Sequence, residues 1–265
     1  MRVYDVNGNP LSSAYDVEGN ALSAVYDVEG NLLDGVVFAD ETTITDIYTS
    51  TRTQQPQGGC IDDNGNVYTC FYKAGVMLKH NLTTGAETQN AFTSEAYGHA
   101  NGMTYNPNTG YLYLASMNDT GEVFVFDTAD LSLVDTVYAK DSGGAVFNCW
   151  NIAYDRTGEH FVVMSGGTIY FFDDDFVLIS TGTYDVNDWA QTRQDIETDG
   201  TYIYALSFNP NKICVFDMNG QLIKQIANTA FSGEPESMCY DWTNEIFYIE
   251  GKSSYYVIRK AEFVN

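Results

Sequence analysis

One sentence is repeated five times along this chain, and any fold must house all five copies. Residues 99–127 carry its clearest form, His-Ala-Asn-Gly-Met-Thr-Tyr-Asn-Pro-Asn-Thr-Gly-Tyr-Leu-Tyr-Leu-Ala-Ser-Met-Asn-Asp-Thr-Gly-Glu-Val-Phe-Val-Phe-Asp. A short apolar strand, Gly102–Tyr105, runs into a turn of Asn, Pro and Gly. A second strand, Tyr111–Ser116, meets a second turn, and a third strand ends at Asp127. Nothing in it has helical period. The copies align on Cys60, Met103, Ile152, Ile196 and Met238, at spacings of 43, 49, 44 and 42 residues.

Each unit supplies two further strands after that residue, and the first four supply a fourth near Glu87–Phe92, Leu131–Tyr138, Phe176–Thr183 and Gln221–Ala227. Four strands repeated about every 44 residues predict a β-propeller. The fifth unit reaches Asn265 with only three strands, while a strand-like stretch, Thr43–Thr49, precedes the first. The sequence therefore predicts an all-β, five-bladed propeller closed by an N-terminal strand; a β-sandwich is the alternative that the fixed period opposes. Asp127, Asp173 and Asp217 each follow a Phe at the end of a third strand and read as turn residues.

Two domains are expected, 1–34 and 35–265. Residues 1–34 repeat every eleven residues: Tyr4-Asp-Val-Asn-Gly-Asn, Tyr15-Asp-Val-Glu-Gly-Asn and Tyr26-Asp-Val-Glu-Gly-Asn, with Leu11, Leu22 and Leu33 after the turns. Between turns the pattern alternates, so the segment reads as short β-hairpins. Three such repeats bury little alone, which predicts packing across subunits in a homo-oligomer or against another protein. The Asp-Val-Glu-Gly-Asn pieces lack the twelve-residue ligand pattern of a calcium loop.

The repeats resemble the N-terminal segments of tail-associated proteins encoded by phages and prophages of gut Firmicutes. That resemblance implies attachment to virion tail proteins through residues 1–34. Behind them, Val-Phe-Val-Phe-Asp at 123–127 and Ile-Cys-Val-Phe-Asp at 213–217 resemble propellers of the YVTN and WD-repeat kind, without the Gly-His and Trp-Asp signature of the latter.

Composition limits the partners. The net charge is −24, with only 12 Lys and Arg against 36 Asp and Glu. Such a chain has no basic face for nucleic acid and repels anionic membrane surfaces. No apolar run is long enough to span a bilayer, and the start, Met-Arg-Val-Tyr-Asp-Val, has no signal-peptide core. Cys60, Cys70, Cys149, Cys214 and Cys239 form no Cys-x-x-Cys pair and sit mostly in strand-like runs, as small buried hydrophobes do. The cysteines suggest synthesis in a reducing compartment, and the resemblance to phage tail-associated proteins implies a bacterial cytoplasm, release by lysis and a final place in the virion.

The loops that return from each fourth strand to the next first strand are the expected binding face. They carry Gln57, Tyr97, His99, Asn101, Phe147, Asn148, Trp150, Trp189, Arg193, Gln194, Asp195, Phe231, Glu234 and Glu236. Aromatic platforms beside amides and carboxylates suit a sugar, which presents apolar faces and hydroxyls together. The expected ligand-binding set is His99, Asn101, Trp150, Trp189, Arg193, Gln194 and Glu236, acting on a host cell-surface glycan or surface protein, with no cofactor. With three His in the chain, no metal site is expected. Two other readings stay open. Five-bladed propellers include arabinanase-type glycosidases, and here Asp195, Glu234 and Glu236 would be the catalytic carboxylates of a glycoside hydrolase. A purely structural virion decoration is the third.

Overall fold

The computed structural model describes residues 42–50, 52–72, 75–91, 99–117, 121–189, 192–227, 233–252 and 256–263. The expected hairpin segment 1–34 lies outside the described residues. The described chain is all strand and turn, without a helix. The strands form five four-stranded antiparallel sheets in a β-propeller arrangement.

The first sheet is β2 (Pro56–Ile61), β3 (Asn66–Phe71), β4 (Val76–Asn81) and β5 (Glu87–Ala91). The second is β6 (Ala100–Asn106), β7 (Tyr111–Ser116), β8 (Glu122–Asp127) and β9 (Leu133–Tyr138). The third is β10 (Ala153–Asp155), β11 (His160–Ser165), β12 (Thr168–Phe172) and β13 (Leu178–Thr183). The fourth is β14 (Thr192–Thr198), β15 (Tyr202–Phe208), β16 (Lys212–Asp217) and β17 (Leu222–Ala227). The last sheet takes β18 (Glu234–Asp241), β19 (Ile246–Lys252) and β20 (Tyr256–Phe263) from the C-terminal unit and β1 (Thr42–Thr49) from the N-terminal side. β1 runs antiparallel to β20 from Thr42 opposite Phe263 to Thr49 opposite Val257.

The inner strands β2, β6, β10, β14 and β18 lie side by side in sequence order, and β18 returns to β2. Burial falls from inside to outside. β2 is buried throughout, whereas β5 and β9 are mostly exposed. Because side chains alternate along a strand, each middle strand feeds two cores. Leu112 and Leu114 join Tyr68, Met77 and Phe126 between the first two sheets. Tyr113 and Ala115 point the other way, toward Phe161, Phe172 and Phe176. The fifth such core joins Ile61, Val67 and Leu78 to Cys239 and Tyr248, across the junction of the first and last sheets. Both faces of these strands are covered, which is why they read as unbroken apolar runs such as Tyr111–Ala115. All five cysteines are buried and free.

Turn acids hold the outer corners. Asp173 accepts the backbone N–H groups of Asp175 and Val177, and Asp217 those of Asn219 and Gln221. These bonds give the expected turn role to the Asp that follows Phe. β10 is shorter than the other inner strands because Asn151 replaces its first ladder pair. Its side chain donates to the Met164 carbonyl and accepts the Met164 N–H, both at 2.9 Å.

Candidate functional site at the axial mouth

Inner strands enter the axis at their N-terminal ends, and there the ladders break. Pairing with the second strand slips between Pro56 and Gly58, between Ala100 and Gly102, between Arg193 and Ile196, and between Pro235 and Ser237. A bulge re-aims the extra residue. The residues so displaced are Gln57, Asn101, Gln194 with Asp195, and Glu236, and all are buried. Four of the five inner strands thus bulge near their N-terminal ends, and Gln57, Asn101, Gln194 and Glu236 meet there.

The delivered groups bond across strands. Gln57 Nε2 donates to Glu236 Oε2 at 2.9 Å, and Gln194 Nε2 donates to Glu234 Oε1 at 3.0 Å. Asn101 Nδ2 donates to the Gln194 carbonyl at 2.8 Å. Gln55, half-buried on the segment entering β2, gives Nε2 hydrogens to Glu234 Oε2 at 3.1 Å and to Glu236 Oε1. His99 Nε2 meets Gln57 Oε1, and its ring centroid lies 4.8 Å from that of Tyr72, which is exposed on the rim. Burial, reinforced by the neighbouring Glu234 carboxyl, raises Glu236 to about 8, against the opposing bonds from Gln55 and Gln57. Glu236 therefore keeps its proton to a higher pH than an ordinary carboxyl, beside a second carboxyl and among amides that donate to both.

Glycine closes the floor beneath. A side chain on Gly102 would put its Cβ 2.8 Å from Asn151 Cα and 2.9 Å from Asp195 Oδ1; on Gly58, 3.1 Å from the Gly102 carbonyl carbon. Below this constriction the acids are hydrogen-bonded by the protein itself. Asp195 accepts the backbone N–H groups of Ile196 at 2.9 Å and Met238 at 3.2 Å. Glu250 accepts the hydroxyls of Thr69 at 2.7 Å and Ser237 at 3.0 Å. Glu197 accepts Thr198 N–H at 2.9 Å, and burial raises it to about 8. At the far end Arg156 packs its guanidinium over Tyr105 and Trp242, 5.7 and 5.4 Å from the ring centroids, and pairs with Asp63.

The structure gathers His99, Asn101, Gln194, Glu234 and Glu236 at one mouth. It corrects two of the expected roles. Trp189 is only 1% exposed; it donates its indole N–H to the Leu206 carbonyl and packs with Tyr184 in the core between the third and fourth sheets, so it offers no stacking face. Asp195 is fully buried with both oxygens on backbone N–H groups, so it reaches no substrate as a catalytic carboxylate. Arg193 lies over Trp189, 5.5 Å from its ring centroid, with one hydrogen bond to the Val186 carbonyl. Trp150 stands at the entrance to β10, 37% exposed. Among the described residues no group of three or more His, Cys, Asp or Glu is arranged to hold a metal ion.

Gln55 and Tyr72 complete the mouth and escape the sequence reading, as do Glu197 and Glu250 in the axis below. The available signal for the first was the run Gln54-Gln55-Pro56-Gln57, where Gln55 stands two residues from Gln57 and so shares its face.

No family model matches the chain, and no curated protein matches it. Solved structures match its fold. Glutaminyl cyclase of Myxococcus xanthus superposes with a TM-score of 0.66 at 14% identity, covering 85% of this chain and 98% of that one. Regucalcin, a calcium-binding protein of Agrobacterium tumefaciens, gives 0.56 at 10% identity over 84% and 95%. Virginiamycin B lyase of Staphylococcus aureus gives 0.54 at 13% identity over 84% and 100%. At these identities the likeness is one of fold.

Proposed function

We propose that the five sheets are the blades of one closed ring whose axial mouth binds a polar ligand non-covalently, a host cell-surface glycan, on a phage or prophage tail-associated protein. One observation supports this reading: four of the five inner strands bulge near their N-terminal ends and bring amides and carboxyls into hydrogen bonds with one another across strands. Amide and carboxyl groups read hydroxyls as both donors and acceptors, and Tyr72 and Trp150 offer exposed ring faces to C–H surfaces. In this reading the Tyr-Asp-Val-x-Gly-Asn repeats attach the chain to virion tail proteins or join copies of it, and several copies raise a weak single-site affinity by avidity.

A second reading draws on Glu236. A carboxylic acid raised to about 8 beside another carboxyl is suited to general acid–base work. The fold likeness to a glutaminyl cyclase adds an acyl-transfer enzyme to the glycosidase already considered. In either case Glu236 and Glu234 would be the catalytic pair.

The test is to incubate the full chain with a panel of bacterial wall and capsular polysaccharides, reading bound sugar and newly released reducing ends in the same wells. Binding without release supports capture. Release that Glu236→Gln abolishes moves the protein to the glycosidases. Neither signal, together with co-purification with virion proteins, leaves a structural decoration.

A further inference from the structure

We propose that the three repeats of residues 1–34 seat on the outer rim of their own propeller, one repeat at each corner of the fourth, third and second sheets, at the end away from the mouth. The inference is independent of what the mouth binds.

Three outer strands carry the same irregularity at the same level. Pairing with the outer strand slips between Val125 and Phe126, between Phe171 and Phe172, and between Val215 and Phe216. The extra residues on β9, β13 and β17 are Val134, Ile179 and Ile223. A bulge turns its extra residue out of the ladder, and these three β-branched side chains are 48, 58 and 45% exposed. Each lies beside the Phe that precedes Asp127, Asp173 or Asp217, at the end of the sheet away from the mouth. The first sheet has neither the Phe-Asp pair nor the bulge; its outer strand β5, Glu-Thr-Gln-Asn-Ala, pairs without a slip. The slip of β1, at Ile47, falls nearer the mouth. Exposed aliphatics on an edge strand invite a further strand, so the molecule presents three equivalent corners to an apolar partner.

The point where the chain enters selects the occupant. β1 begins at Thr42 opposite Phe263, past the pair of Ala261 and Phe247, and so at the end of the last sheet away from the mouth. The repeats arrive at that end, the same one that carries the bulges. The fourth sheet neighbours the last, and the third and second follow it round the axis. With strands about 4.8 Å apart and sheets about 10 Å apart, the outer edges of neighbouring sheets stand about 25 Å apart. Eleven extended residues reach about 36 Å, so one repeat passes from each corner to the next with length left for its turn. Repeats and corners match in number and in order: Tyr26 falls to Ile223, Tyr15 to Ile179 and Tyr4 to Val134. In an extended strand Leu11, Tyr15 and Val17 share one side of the second repeat, and Leu22, Tyr26 and Val28 share one side of the third. The corner at Ile179 has a place for such a side chain. A groove of about 270 Å³ there is lined by Phe171, Ile179 and Met218 with His160 and Ser180. His160 Nε2 lies 3.5 Å from Asp155 Oδ2 and has no hydrogen-bond partner among the described residues. A Tyr supplies a ring for the apolar wall and a hydroxyl for that nitrogen.

Chymotryptic cleavage of the full chain, timed at Tyr15 and Tyr26 against a synthetic peptide of residues 1–34, tests the inference. Both sites are expected to be cut at least about tenfold more slowly in the chain than in the peptide, at a rate independent of protein concentration. Ile179→Asp and Ile223→Asp, each at an exposed side chain, are expected to speed cleavage at Tyr15 and Tyr26 respectively by at least about fivefold, with Tm unchanged. Ile179→Ala and Ile223→Ala, which add no charge, are expected to act in the same direction by at least about twofold. Thr88→Asp, on the regular β5, is expected to change neither rate. Cleavage at the peptide rate in the unaltered chain overturns the inference and leaves the repeats to a virion partner. Slow cleavage that no Ile substitution quickens overturns it as well, since the repeats then lie elsewhere. Slow cleavage that quickens on dilution overturns it in favour of repeats seated on a second copy. The polysaccharide panel judges the glycan reading separately.

Discussion

The two ends of the inner strands are built from the same residue types and handle them in opposite ways. At the far end Asp62 and Asp241 are satisfied by their own turns. Asp62 accepts the backbone N–H of Asn64 and Asn66, both at 2.9 Å, and the hydroxyl of Tyr68 at 2.8 Å; Asp241 accepts Thr243 and Asn244 in the same fashion. Every partner lies within six residues. At the mouth Glu236 is satisfied by Gln55 and Gln57, about 180 residues away in sequence. Local bonds close turns and belong to each unit alone. Bonds between units exist only once the ring has formed. The far end is therefore a structural repeat, and the mouth is the place where the repeats differ from one another.

The largest expected effect tests the floor between the two ends. Gly102→Ala would drive a methyl group against Asn151 Cα and Asp195, and its cost should be about 3 kcal/mol by the usual penalty of overpacking. Urea unfolding would measure it; a change below the error of the extrapolation would mean that the inner strands have slack. Asp62→Ala, at the far end, removes four hydrogen bonds and should cost about 2 kcal/mol of stability while leaving ligand binding unchanged.

Acids in the axis give the fold an unusual pH profile. Burial raises Glu236 and Glu197 to about 8, above the ordinary carboxyl value, so the folded chain holds protons that the unfolded chain has already released. Their contribution is full below the unfolded value and is lost as pH rises through the folded one. Thermal stability should therefore fall between about pH 5 and pH 8, by roughly 1.4 kcal/mol per pH unit for each such group. Glu197→Gln should flatten the fall, and a Tm that rises over this range would contradict the burial of both groups. Trp150→Ala should be the mildest change, within about 0.5 kcal/mol in stability because the ring is substantially exposed, yet it should weaken glycan binding.

The strand order was legible because covered sheets leave apolar runs, and because Asn, Asp and Gly mark each turn. The closing strand was legible as well: Thr43–Thr49 alternates, and the C-terminal unit lacked its fourth strand. Position in the strand order sufficed to bring His99, Asn101, Gln194, Glu234 and Glu236 to one end. The bulges were not legible, since a bulge is a property of register between two strands and leaves no mark on either alone. For that reason Gln194 and Asp195, neighbours in sequence, could not be assigned their separate roles, one turned to the mouth and one sealed below the floor. Trp189 was misread because an aromatic in a loop carries no sign of the core that will close over it. Glu250 was hidden inside a strand whose neighbours Ile249 and Gly251 are also buried.

The claim that the mouth, and not the far end, is the binding surface is tested most directly by comparing Glu236→Gln with Asp62→Ala for retention of bacterial wall polysaccharide, each checked for folding. The account predicts that Asp62→Ala binds as the unaltered chain does and that Glu236→Gln loses at least tenfold in affinity. Equal loss in both, or loss confined to Asp62→Ala, would contradict it.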